Sequence, residues 1–380
     1  MQGVSAFDLL KVRAGYGKTG NDAIENFLWQ DIYSLTSQYQ NVTAAILMRQ
    51  QNPNLGWEEA YMTSVGIDAE LFGRLNVTLD LYNIDNKNLL LAVPLAPSTG
   101  FFEFMDNVGT VNNKGIELAI DADIINTRDL NWNFGFNIGL NKNKVVYLPN
   151  GEFRQGNQIV REGQDIFTWN MPIWAGVDPE TGSPTWEKID AETGEKTITT
   201  TYSEATFQNA GTSSPKFQGG LNTSLSWKGF TLSATGNFIY GNMIYNSARV
   251  SMDSDGAYTD YNMMSHNNGL GWTRWQKPGD IATHPKPKMM GNNDAHMLST
   301  RYLENGSYFR LKNVTLSYDF PQAWMKKAKM QGLKVYVSGD NLVTVSKFSG
   351  MDPEIDTEDG TYDTNYPVPM TVVGGIQITF

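Results

Sequence analysis

Cysteine is absent from all 380 residues. Without it no disulfide can staple the fold and no thiolate can hold a metal; the absence fits an oxidising envelope compartment, as it also fits many cytosolic proteins. Long apolar runs are missing too. None approaches the roughly 18 residues that a membrane helix needs, which excludes a helical membrane protein but leaves strands open. Basic residues are outnumbered, 29 Lys and Arg against 40 Asp and Glu, for a net charge of -11. That balance argues against a nucleic-acid partner, whose phosphates demand a basic face. The opening residues, M-Q-G-V-S-A-F-D, hold no basic segment followed by an apolar core, so no signal peptide is expected here, and an exported chain would then be a mature form or part of a longer one. What the chain does have is glycine, 36 of them, and 12% aromatic residues.

The aromatics are placed with a period. Across residues 130–140, Leu130, Trp132, Phe134, Phe136, Ile138 and Leu140 share one parity, and Asn131, Asn133, Gly135, Asn137 and Gly139 the other. Period-two alternation is a strand with unlike faces. Large apolar groups opposite small amides and glycines fit a membrane barrel, which faces hydrocarbon outside and a polar lumen inside over segments of about ten residues.

The rest of the chain repeats the pattern. A strand is expected over 9–18, with Leu10, Val12, Ala14 and Tyr16 against Lys11, Arg13, Gly15 and Gly17. Hairpins follow over 63–81, turning at Gly73 and Arg74; over 115–140, turning at 126–129; and over 217–238, turning at Lys228 and Gly229. Later strands cover 310–320, 333–337 and 372–380; Leu311 breaks the parity and predicts a bulge, and 323–329 suggests one helical turn. The polar stretches 19–60, 83–113, 141–214, 241–307 and 344–370 read as loops. Connections therefore alternate long and short through about ten strands, all antiparallel. In outer-membrane barrels the short turns are periplasmic and the long loops extracellular, which assigns a side to each and a periplasmic C-terminus. Trp132, Trp227, Phe230, Tyr318 and Phe380 fall beside the short turns, where an interfacial girdle belongs, with Tyr16 and Tyr240 marking the other rim. The plainer alternative is a soluble all-β domain.

Several local patterns look like chemistry. Residues 15–20, G-Y-G-K-T-G, match a dinucleotide fingerprint, but no helix opens there and a phosphate loop would need glycine at Val12. His266, His284 and His296 share one loop at spacings that match no metal motif. Asp253, Asp255 and Gly256 resemble the start of a calcium loop, yet its closing glutamate would fall on Met264. No serine, histidine and acid arrangement stands out, so no enzyme and no cofactor are expected. Trp169, Trp174 and Trp186 in one loop and Trp272 and Trp275 in the next offer faces on which a sugar or peptide could stack, and are the expected substrate-binding residues. The competing reading makes them the loops' own miniature cores.

The sequence also resembles the SusC/RagA family of TonB-linked outer-membrane transporters of the Bacteroidetes. The resemblance is carried by L-K-V-R-A-G-Y-G-K-T-G-N from Leu10, N-P-N-L-G-W-E from Asn52 and N-V-G-T-V-N-N-K-G-I-E-L from Asn107. Further on it is carried by S-S-P-K-F-Q-G-G-L from Ser213, S-T-R-Y-L-E-N-G-S-Y-F-R-L-K-N-V-T-L-S-Y from Ser299, S-G-D-N-L from Ser338 and M-D-P-E-I from Met351. It implies a 22-stranded barrel holding an N-terminal plug, covered by a SusD-like lipoprotein and importing glycans or peptides with energy from TonB, ExbB and ExbD. Residues 1–380 match only the C-terminal part of such a barrel. The plug, TonB box and signal have no counterpart in them, so coupling belongs to the parent protein.

Ten strands would leave open edges that lipid does not tolerate, so closure by strands outside this chain is expected. The terminal G-I-Q-I-T-F resembles the signal read by the barrel-assembly machinery, making Phe380 an assembly residue. The expected function is nutrient import across the outer membrane, the strands forming a wall in lipid and the long loops a mouth. The alternatives are a non-transporting surface barrel that binds glycans or acts as an adhesin, and an outer-membrane hydrolase.

Overall fold

A computed structural model describes residues 7–22, 26–149, 151–258, 271–327, 329–354, 360–364 and 366–380. Ten long strands are laid down in chain order: β1 (Phe7–Asn21), β2 (Glu58–Leu71), β3 (Leu75–Lys87), β4 (Thr110–Asn126), β5 (Leu130–Tyr147), β6 (Phe217–Trp227), β7 (Phe230–Tyr240), β8 (Tyr308–Asp319), β9 (Gly332–Ser346) and β10 (Thr371–Thr379). The chain divides into two compact units, Met1–Ile120 with Gly139–Ile166, and Asp121–Ile138 with Phe167–Phe380.

In the first unit β1 pairs antiparallel with β2 and β2 with β3. In the second, β6, β7, β8, β9 and β10 pair antiparallel in succession. β5 is 18 residues long and runs on to Tyr147, well past the apolar stretch that ends at Leu140, because its polar continuation keeps the extended backbone beyond the roughly ten residues that hydrocarbon requires. The bulge falls where the broken parity predicts it: Leu311 and Asn313 keep their partners on both neighbours while the register skips Lys312.

Short connections join β2 to β3, β4 to β5, β6 to β7 and β8 to β9, and long ones separate all the others. The β6–β7 turn is two residues, Lys228 at φ 47° and Gly229 at φ 91°, the pair of positive angles that matches strand twist. The β8–β9 turn carries a helix, α2 (Gln322–Lys327), close to the helical turn expected over 323–329.

The distribution of apolar groups is inverted relative to a soluble domain. Large apolar side chains of the wall lie open, Leu232 at 42%, Leu316 at 45% and Val337 at 47% exposure. The buried cores lie at strand ends and in the connections: Val111 of β4 and Val145 of β5 with Leu148 and Val160 in the first unit, and Trp169, Met171, Tyr245, Tyr302 and Leu303 in the second. An exposed apolar strand face calls for an apolar solvent. The opposite parity is satisfied by cross-strand polar pairs: Asn313 donates to Ser338 (2.9 Å) and Asp340 (2.7 Å), and Asn133 to Asp121 (3.1 Å).

The long connections are not featureless, which corrects their reading as loops. Residues 19–60 contain a hairpin of Ile32–Tyr39 and Val42–Arg49, and residues 83–113 one of Leu90–Pro94 and Glu103–Asn107. Residues 141–214 hold Trp174–Val177, Pro184–Ile189 and Lys196–Thr199 as a three-stranded sheet. These strands are short and lack a clean apolar parity, so the periodicity that marks the wall is missing from them.

Candidate functional site

The two largest connections of the second unit fold together around the expected tryptophans. Trp169 is fully buried, tilted against Tyr245 at 6.1 Å, with its Nε1 donating to the carbonyl of Met243 (3.1 Å). Trp186, also fully buried, sits edge-on to Trp174 (5.7 Å) and to Tyr202 (5.4 Å). Trp275 is 6% exposed and donates from Nε1 to the carbonyl of Pro179 (2.8 Å). Its ring fits because residue 182 is glycine: a Cβ there would stand 2.5 Å from the indole Cδ2. Trp174 and Trp272 keep partial exposure, with the Arg301 guanidinium over Trp174 at 5.0 Å and the Arg249 guanidinium over Trp272 at 4.4 Å. Trp169, Trp186 and Trp275 thus lie in the loops' own cores, as the competing reading anticipates, and Trp174 and Trp272 lie at their margins.

Beside these rings is a buried ionic network that the sequence did not announce. Helix α1 (Ser247–Met252) presents Arg249 to Asp253 (2.8 Å) and to Glu304 (2.8 Å). Asp255 is held between Arg274 (2.6 Å) and Arg301 (2.5 Å), and His284 Nε2 lies 3.2 Å from Asp253. Burial alone would raise the Asp253 carboxyl, but the contact with His284 and the charge of Arg249 outweigh it and hold the group well below the usual carboxylate range. The two acids that suggested a calcium loop are therefore matched by arginines. Among the described residues no group of three or more His, Asp or Glu side chains is arranged to hold a metal. Met264 and His266 lie outside the described residues; His296 packs edge-on to Tyr258 at 5.6 Å. Guanidinium–carboxylate pairs this deeply buried fix loop conformation, since removing one partner strands the other charge.

Below these loops a cavity of about 580 Å³ opens onto the polar parity of the wall, where Gln218, Asn237 and Tyr308 meet Ser214, Asn242 and Glu354. Asn237 donates to Tyr308 Oη (3.3 Å) and Glu354 (3.0 Å), while Lys312 Nζ (2.5 Å) and Arg310 (2.7 Å) also hold Glu354, and Arg310 pairs with Asp352. This polar network pins Asp352 and Glu354, in the connection between β9 and β10, to the wall. The amide oxygens of Asn237 and Asn242 are buried and accept no hydrogen bond from the described residues.

The first unit has its own polar concavity, about 660 Å³, lined by Arg13, Ser64, Asp80, Tyr82 and Glu117. Arg13 forks between Asp68 (2.8 Å) and Asp80 (3.0 Å). Gly66 makes room for the fork, because a Cβ there would stand 2.3 Å from Asp80 Oδ1 and 2.8 Å from Arg13. Gly115 and Gly135 are likewise flat places, on which the side chains of Tyr82 and Asn222 lie. Arg13, Asp68 and Asp80 all occupy that parity in the sequence, so register alone could have grouped them. The Arg310–Asp352 pair spans strand and loop and carries no such signal. Phe380 lies past the last strand residue, 81% exposed.

Comparison with known proteins adds to this geometry. The family described as "TonB dependent receptor-like, beta-barrel" matches residues 4–342. TonB-dependent receptor P3 of Formosa agariphila is 28% identical over 90% of the chain and 36% of its own length. TonB-dependent receptor SusC of Bacteroides thetaiotaomicron is 25% identical over the whole chain and 38% of its own length. A solved structure of the RagAB peptide transporter superposes with a TM-score of 0.87 at 27% identity, covering all of this chain and 42% of that one. The RagAB importer in its open-open state gives 0.84 at 26% identity. The chain spans about two fifths of the length of these relatives.

Proposed function

Because the chain belongs to the TonB-dependent receptor β-barrel family and forms part of a larger barrel, we propose that it builds the wall and outer mouth of an outer-membrane importer. The observation that carries the reading is the inverted wall, apolar side chains open on one parity and polar cavities on the other, with long and short connections alternating along the chain. In this reading the short turns and the C-terminus face the periplasm and the long connections face outward. The cargo is a glycan or a peptide, delivered through a SusD-like lipoprotein that caps the mouth; the RagAB relatives are named for peptide transport and bear on that choice. TonB, ExbB and ExbD supply energy through the parent protein's N-terminal region, and the barrel-assembly machinery reads Phe380.

Transport needs no nucleophile. It needs a passage whose polar groups exchange contacts with cargo and a wall that keeps lipid out. Trp169, Trp186 and Trp275 serve as the frame of the mouth, and Trp174 and Trp272, which keep partial exposure, as the faces that meet cargo. The test is uptake of labelled oligosaccharides and peptides by cells with and without the gene. The reading expects one class to enter only when the gene and the proton gradient are both present. Binding that persists without any uptake would instead support a non-transporting surface barrel.

A further inference from the structure

The β8–β9 connection is out of proportion to its task. The other short connections close a hairpin in two or three residues, whereas this one runs from Phe320 to Gln331 and its described residues form a platform around the helix Gln322–Lys327. Met325 is buried at 4% exposure, Met330 donates its N–H back to the Met325 carbonyl (3.0 Å), and Gln322 ties the helix to Gln331 (3.1 Å). Trp324 stands 58% exposed at one end. A row of rings leads to it along the apolar parity: Phe230 to Tyr318 (4.5 Å), Tyr318 to Phe320 (4.9 Å) and Phe320 to Trp324 (6.2 Å). Next to Trp324 come Lys326, Lys327 and Lys329, all exposed and none ion-paired with a described residue. Three exposed lysines within four residues are conspicuous in a chain of net charge -11.

We propose that this platform is a docking site for the headgroup of an anionic phospholipid in the membrane leaflet next to the short turns. The proposal rests on the wall reading above and adds a ligand at its rim. A tryptophan at the end of an aromatic row belongs at the level of the headgroups, its ring among the upper acyl carbons and its N–H among the polar groups. Lysines on flexible stems beside it reach the phosphate layer, where each contributes sequence-independent attraction to negative lipid. The buried Met325 and the Gln322 tie hold the platform in place before any lipid arrives, so binding does not have to order the turn.

The test uses the full-length receptor purified in detergent and native mass spectrometry to follow retained lipid. The probes are dioleoylphosphatidylglycerol, the matched phosphatidylcholine and inorganic phosphate. At about fivefold per lysine at low salt, the unsubstituted protein should hold phosphatidylglycerol at least about tenfold more tightly than phosphatidylcholine. The combined variant Lys326→Gln, Lys327→Gln, Lys329→Gln should lose most of that preference, and the matching arginine variant should keep it. Heat-modifiable mobility on gels confirms that each variant is folded. Should the glutamine variant fail to fold, salt decides: raising ionic strength about tenfold should cut the preference of the unsubstituted protein several-fold. The proposal is overturned by an unsubstituted protein without preference, or by a folded glutamine variant that retains it. Displacement of the lipid by millimolar inorganic phosphate would point to a free-anion site and overturn it as well. Loss of cargo uptake with lipid preference intact would count against the transport reading alone, so the two failures are distinguishable.

Discussion

Phe136 gives the sharpest energetic test of which face meets lipid. It lies on the apolar parity of β5 and stacks on Phe238 of β7 at 6.2 Å with planes 17° apart. Replacing it with arginine puts a charge on that face near the middle of the apolar stretch, which costs about 2 to 4 kcal/mol at the bilayer midplane, and aspartate costs less. The lost ring contact adds about 0.5 to 1.5 kcal/mol. Its neighbour Asn137 points to the other parity and is exposed, so Asn137→Arg should change stability by no more than about 1 kcal/mol. The assay is urea titration of the receptor folded into phospholipid vesicles, followed by heat-modifiable mobility. A costly Phe136→Arg beside a tolerated Asn137→Arg is expected. The reverse order would mean that the faces are exchanged and that the lumen lies where the account places lipid.

The remaining predictions concern the loops and the polar face. Gly66→Val should displace the Arg13 fork and cost about 1 to 3 kcal/mol as an overpacked site, visible as a lower thermal midpoint, whereas Gly17→Ala, with open space around it, should be silent. Trp169→Ala should cost about 3 to 5 kcal/mol within the loop core and expose residues 167–216 to protease while the wall stays folded; unchanged proteolysis would remove Trp169 from the frame. Arg301→Gln leaves the Asp255 carboxylate with one cation fewer and should loosen the same loops, an effect that Arg301→Lys should relieve only in part because an ammonium cannot lie over the Trp174 and Tyr302 rings as the planar guanidinium does. The depressed Asp253 carboxyl stabilises the loops above its unfolded value of about 3.9, and that stability is lost as pH falls through its lower folded value. Protease resistance contributed by Asp253 should therefore hold from neutral pH down to about pH 4 and fade only in stronger acid, and a loss already complete near pH 6 would contradict the network.

The ten-strand wall was legible because hydrocarbon on one side and water on the other write period-two alternation into every strand. Even the register irregularity announced itself through Leu311. The loops write no such code. The hairpin at Ile32–Tyr39 and Val42–Arg49 has both faces wet, so its side chains follow no parity, and the polar span 19–60 concealed it. Tryptophan count identified the loops that fold into bodies of their own but not which rings face outward, since Trp169 and Trp174 read alike in sequence and differ only in what packs on them. Arg249, Arg301 and Arg310 found their acids across connections whose paths the sequence does not specify. Arg13, Asp68 and Asp80, by contrast, sit on strands with a readable parity, and cross-strand register brings them together.

The most direct measurement is sidedness. These 380 residues contain no cysteine, so single cysteines can be introduced and labelled one at a time on intact cells with a membrane-impermeant maleimide. Glu192→Cys lies in an exposed turn of a long connection, and Arg128→Cys in the exposed turn between β4 and β5. The account predicts labelling of the first on intact cells and of the second only after the outer membrane is broken. Labelling of Arg128→Cys on intact cells, with Glu192→Cys protected, would contradict it.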